Sequence, residues 1–165
     1  MSSFAKTDEL VSVDALPADT DHAQVTALLR GAGWQDAGAG DWEIALRSPS
    51  GMRAARISPF DPAAPWTAEL YRRGATTKLL PRLDRERALA GGGSLLVLEW
   101  LYPVEPEEGN RLHMRLRDGD PTLAPLRDVL DEVSAEAAAV VPWFGPVDDN
   151  PANVMRADDG RLVLT

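Results

Sequence analysis

The chain has 165 residues, 44% hydrophobic and 26% charged, and 17 basic against 26 acidic residues leave a net charge of −9. That composition suits one domain or two small lobes with a real core, and the acidic balance lacks the counterion-releasing basic face of a nucleic-acid binder. The absence of cysteine removes disulfides, thiolate zinc sites and a cysteine nucleophile, and fits a reducing cytoplasm. No apolar run approaches the ~20 residues of a membrane crossing, and residues 1–10 lack the apolar stretch of an export signal, so a cytoplasmic protein that neither spans a membrane nor binds nucleic acid is expected.

Asp19, Thr20 and Asp21 offer N-cap oxygens ahead of Val25, Leu28 and Leu29, and Gly31 and Gly33 supply a stop, which predicts a short helix over 20–30. From Trp34 the pattern changes. Residues 34–38, 42–47 and 52–57 are short strand-like runs separated by Gly-Ala-Gly-Asp and Ser-Pro-Ser-Gly turns, an antiparallel meander. Pro59, Pro62 and Pro65 mark a loop before a helix over 66–80 that buries Leu70 and Tyr71. A fourth strand is expected over 82–90, a flexible turn at Gly91-Gly92-Gly93, and a fifth strand with a continuous apolar run over 94–101.

Pro103, Pro106, Glu105, Glu107 and Glu108 read as a solvated connector. Beyond it, Leu123, Leu126, Leu130, Val133, Ala137 and Val140 fall at alternating steps of three and four and predict one long helix over 122–141. A polar loop and a hairpin built from 153–155 and 162–164 complete the chain as given. The class is therefore α+β, with an extension at 1–33, a sheet domain at 34–104 and a helical part at 105–165.

His22 and His113 lack ligand spacing to acidic residues and read as surface histidines, without a transition-metal site. The five tryptophans are not spaced as a box and read as core or junction residues.

The loop Val147-Asp148-Asp149-Asn150-Pro151-Ala152-Asn153-Val154-Met155 has an Asp followed five positions later by an Asn. With the preceding order of five strands, one helix, connector and long helix, it resembles the catalytic loop of the protein kinase and aminoglycoside phosphotransferase fold. The resemblance implies a kinase-like N-lobe at 34–104 and a partial helical C-lobe at 105–165 ending in a hairpin. It implies ATP and Mg²⁺ as cofactors, with Asp148 as the catalytic base and Asn153 as a metal ligand. It places Arg56 at the third-strand lysine position, Glu69 as its partner on the next helix, Gly38 and Gly40 in the glycine loop, and Glu99 and Leu101 at the hinge that meets the adenine edge.

Several positions depart from the family pattern. Arg56 stands for Lys, Glu43 for the third glycine, and Pro146 and Val147 for the usual His and Arg before the catalytic Asp. By family spacing the magnesium Asp would follow Thr165 directly, so the chain is expected to be a truncated kinase-like fold without that ligand and without the activation segment. These departures favour a non-catalytic kinase-like module that acts by binding a protein. The alternatives are an ATP- and Mg²⁺-dependent phosphotransferase using Asp148 and Asn153, and an acidic decoy for a basic partner. A homodimer or a protein partner is expected as well, because truncation would leave the apolar stripe of 122–141 and the strand at 162–164 without cover.

Overall fold

The computed structural model describes residues 5–40, 42–144 and 148–165 and is α+β. The chain divides into two compact units, one reaching Ala64 and including Leu83–Trp100, the other made of Pro65–Arg82 and Leu101–Thr165.

The first unit holds two helices, α1 (Ala5–Asp14) and α2 (His22–Gly31), and the strands β1 (Gln35–Ala39), β2 (Ile44–Arg47), β3 (Arg53–Ser58), β4 (Leu83–Ala88) and β5 (Ser94–Glu99). The five strands form one antiparallel sheet in the order β1-β2-β3-β5-β4. The chain leaves the sheet after β3, returns at the far edge as β4, and fills the gap with β5. Lying between two neighbours, β5 is buried at every position, as its unbroken Leu95-Leu96-Val97-Leu98 run requires. The start of α2 is closed by a capping box: Gln24 N–H donates to the Asp21 carboxylate (2.8 Å) and Asp21 N–H to the Gln24 side chain (2.9 Å). Leu46, Ala55, Ile57, Leu95 and Val97 form one core cluster with Val13, Leu16, Val25, Leu29 and Trp34. Leu28, expected in that set, is 53% exposed.

A buried charge sits at the start of β3. Arg53 donates to Glu9 of α1 (3.0 Å) and to Asp84 of β4 (2.8 Å), with 8% of its side chain exposed, and Glu99 stands opposite it in the β3–β5 register. Glu9 also accepts from the backbone N–H and hydroxyl of Ser50 (2.5 and 2.9 Å), in the β2–β3 turn.

The second unit begins with α3 (Ala64–Arg73), all but its first residue, and a 3₁₀ turn at Gly74–Thr77. It continues with β6 (Leu101–Pro103), α4 (Pro106–Arg117), α5 (Ala124–Ala138), β7 (Val154–Ala157) and β8 (Leu162–Leu164). The last two strands make the expected hairpin, and β6 pairs with β7 to give a three-stranded sheet. Leu123, Leu126, Leu130, Val133 and Ala137 are buried along one stripe, whereas Val140 is 69% exposed because it lies beyond the end of α5.

Four expectations are corrected. The run over 94–101 is two strands in two sheets, broken at Trp100, whose N–H donates to Met52 O (2.8 Å). The segment read as an acidic connector is α4, since Pro106 at its first position with Glu107 and Glu108 in its first turn is a helix start. Its His113 is buried, not on the surface. The α5 stripe and the strand residues Val163 and Leu164, expected to lack cover, are likewise buried.

Two predictions follow from these charges. Truncating Arg53 takes from the buried carboxylates of Glu9 and Asp84 the guanidinium they share, so Arg53→Ala should cost about 3–5 kcal/mol in urea unfolding; a loss below about 1 kcal/mol would show that the cluster does not hold the unit. At the turn between α4 and α5, Asp120 accepts from Thr122 Oγ1 (2.6 Å) and Arg115 Nε (2.7 Å), and these bonds hold its carboxyl down to about 2. A depressed folded pKa gives stability that is present above the unfolded value of about 3.9 and is lost as pH falls through about 2. Asp120→Asn should therefore be less stable than the parent at pH 7, with the gap closing in urea titrations run between pH 4 and pH 2.

Candidate functional site

The loop over 148–153, expected from its spacing to carry a catalytic Asp and a metal-binding Asn, is built from consecutive Asx turns. Asn150 N–H donates to Asp148 Oδ1 (3.2 Å) and Ala152 N–H to Asn150 Oδ1 (3.0 Å). A short 3₁₀ turn, Pro151–Asn153, then delivers the chain into β7. Asn153 O accepts from Thr165 N–H (2.8 Å) and from the Thr165 hydroxyl (3.2 Å).

Helix α4 holds this loop from behind. Gly109 lies so close to the Pro151 backbone that a Cβ there would overlap its carbonyl oxygen. One turn on, His113 Nε2 donates to Asn150 O (3.0 Å), and Glu108 pairs with Arg156 of β7. This support was only weakly legible in the sequence. Gly109 and His113 are separated by one helical turn, but that spacing has meaning only once α4 is recognised.

Asp148 is exposed, and its second oxygen takes no part in the turn. Asp148 and Asn153 line a common cavity of about 170 Å³ with Tyr71, Leu130, Phe144 and Thr165. Asp148 also borders a second cavity, of about 470 Å³, with His113, Arg117, Arg127 and Asp131. A carboxylate so placed can orient a hydroxyl or accept its proton.

Magnesium needs near-octahedral oxygen ligands, with one or two carboxylates added to water and phosphate. Among the described residues no group of three or more acidic or histidine side chains is placed to hold a metal ion. Asp148 and Asn153 offer one carboxylate and one amide, and the carboxylate is partly engaged in its turn. By themselves these two residues fill only part of an octahedral magnesium shell.

The other expected site residues have partners within their own units. Arg56 of β3 grips Glu43 through Nε (3.1 and 3.0 Å) and Nη2 (2.8 Å). Glu69, expected as the partner of Arg56, is held by Arg73 (2.7 Å), which also forks onto Glu136 of α5 (2.7 and 2.8 Å). The Glu136 bonds raise the Arg73 pKa, and the Arg73 bond lowers that of Glu136. Gly38 sits at a register shift between β1 and β2, with open space where a Cβ would be. Gly40 N–H closes the β1–β2 turn on Glu43 O (2.8 Å). Glu99 ends β5 as a buried residue and Leu101 opens β6, one on each side of Trp100. The Arg47 guanidinium stacks 4.3 Å from the centre of the Trp100 ring. Pro146 and Val147, at the family's His and Arg positions, lie outside the described residues.

Alanine normally stabilises a helix interior over glycine by roughly 0.5–1 kcal/mol. At Gly109 the overlap with Pro151 should reverse that sign, so Gly109→Ala is expected to lose about 1–3 kcal/mol and to broaden the amide signals of Asn150 and Asn153. A stabilised Gly109→Ala would mean that α4 does not seat the loop.

Compared with known proteins, the sequence matches no family model and no curated protein.

Proposed function

We propose that this chain is a kinase-like module that acts by binding a protein and does not transfer phosphate. The kinase-like half of that reading is supported by the strand order β1-β2-β3-β5-β4 with a helix between β3 and β4, followed by two helices, the Asp148 loop and a hairpin.

The observation that carries the non-catalytic half is the clamp of Arg56 on Glu43. In an active member of this fold, the β3 cation meets nucleotide phosphates and the glycine turn gives them backbone N–H groups. Here the β3 cation is forked onto a carboxylate carried at the end of that turn. A phosphate would have to displace Glu43 and accept its charge nearby. The protein-binding half is supported by large aromatic side chains left in solvent, Trp42 at 76% and Trp143 at 70% exposure.

A second reading, an ATP- and Mg²⁺-dependent phosphotransferase with Asp148 as base and Asn153 as metal ligand, is favoured by one fact: the two residues share a cavity. The two readings separate in one set of measurements. With ATP and Mg²⁺, the parent protein should show no upward shift in Tm and no transfer of labelled γ-phosphate. Glu43→Gly, which takes that carboxylate away from Arg56, should gain a shift by mass action. Transfer by the parent that vanishes in Asp148→Ala would establish the phosphotransferase instead, and an equal Tm shift in parent and Glu43→Gly would remove the clamp as the reason for inactivity.

A further inference from the structure

The end of β3 frames a second site, distinct from the Asp148 loop. Ser58 Oγ donates to two carbonyls, Trp42 O (3.0 Å) and Phe60 O (3.1 Å). This fork pins the backbone under two aromatic side chains that stand in solvent, Trp42 at 76% and Phe60 at 62% exposure. The Phe60 ring lies close over Gly92, where a Cβ would come 3.0 Å from its Cδ2. The two rings line a surface cavity of about 460 Å³ together with Gly40, Glu43, Ser58 and Asp61.

The charges of the two acids differ. Glu43 is matched by Arg56. Asp61 accepts only from neutral donors, Ala63 N–H (3.1 Å) and Ser94 Oγ (3.4 Å), and no cation meets it among the described residues. Two aromatic rings beside one unmatched carboxylate suit a flat cation with several N–H donors. A guanidinium stacks on an indole or phenyl face and uses its N–H fork on the carboxylate.

We infer that this pocket takes an arginine side chain presented by a partner protein, an inference that rests on the protein-binding reading above and names its partner chemistry. The chain's charge of −9 draws a basic segment toward it. A phosphate-bearing ligand would meet the unmatched carboxylate of Asp61 and is repelled.

The test is fluorescence anisotropy of a short dye-labelled glycine-serine peptide carrying arginine, with citrulline and lysine versions for comparison. The arginine peptide should bind the full chain saturably and the other two about tenfold more weakly. Trp42→Ala and Asp61→Asn should each weaken it about three- to tenfold. Both variants should fold, since Trp42 is exposed and asparagine keeps an oxygen for Ala63 N–H; matching thermal unfolding checks this. Glu107→Gln, at an exposed acid in the other unit, should bind as the parent does. Unchanged binding by Trp42→Ala, equal binding of the citrulline or lysine peptide, or an equal loss in Glu107→Gln would each overturn the assignment. The two readings fail separately: loss of the arginine pocket leaves the absence of phosphate transfer standing, and Asp148-dependent transfer would sink the non-catalytic reading whatever the peptide does.

Discussion

A guanidinium taken out of water must be surrounded by acceptors, because an unmatched buried charge costs several kcal/mol. Arg53 is such a group, and its acceptors come from separate parts of the chain: Glu9 on α1 and Asp84 on β4, with Glu99 facing it from β5. Meeting that one demand fixes the first unit. The apolar faces of β3 and β5 would tolerate some sliding, but a slip of one residue would bring Ala54 opposite Glu99 and turn Arg53 to the other face of the sheet. The same charge decides where α1 lies. Glu9 meets both Arg53 and Ser50, and Asp14 at the far end of α1 meets Arg85 (2.7 Å), so the helix is held at both ends while Val13 enters the core.

The second unit solves a different problem, that of giving a polar loop one shape. Asx turns set the local path from Asp148 to Ala152, yet such turns are individually weak. The loop becomes defined because α4 offers it a bare backbone at Gly109, a ring donor at His113 and a charge at Glu108. Each of these lies on one side of one helix. The position of the Asp148 loop is thus set by residues far from it in sequence, and a change at Gly109 would act on the loop without touching Asp148.

Most of the sheet was legible in the sequence, because short alternating runs between glycine and proline turns have few other readings. The long helix was legible from its stripe of three and four. Two helices were not. The α1 sequence, Ala-Lys-Thr-Asp-Glu-Leu-Val-Ser-Val-Asp, has too little apolar periodicity to stand out, and its hold comes from ion pairs that only the fold creates. In α4, acids and a proline suggested a loop, although at a helix start those residues are favourable. Missing α4 hid the site's support as well, since His113 then had no partner and Gly109 no reason to be glycine. The pairing of Arg56 was misjudged for a related cause: Glu43 was read only as a departure from a glycine pattern, and its register beside β3 was overlooked. Ala45 pairs with Arg56, which puts Glu43 within reach of the guanidinium.

That register links the two functional readings. A carboxylate carried at the turn between β1 and β2 occupies the β3 cation, and Asp61, which meets no cation among the described residues, borders the same cavity. On the proposed reading both features oppose phosphate and favour a cation. If the proposed kinase-like reading holds, a glutamate in place of the glycine at such a turn does more than weaken a nucleotide site: it changes the sign of the ligand preferred. The exposed Trp42 stands beside Glu43, and an aromatic face has no particular use for a phosphate but is a natural surface for a guanidinium. The two proposals, no phosphate and an arginine, thus rest on a single stretch of chain, Trp42-Glu43, placed against the end of β3 by Ser58.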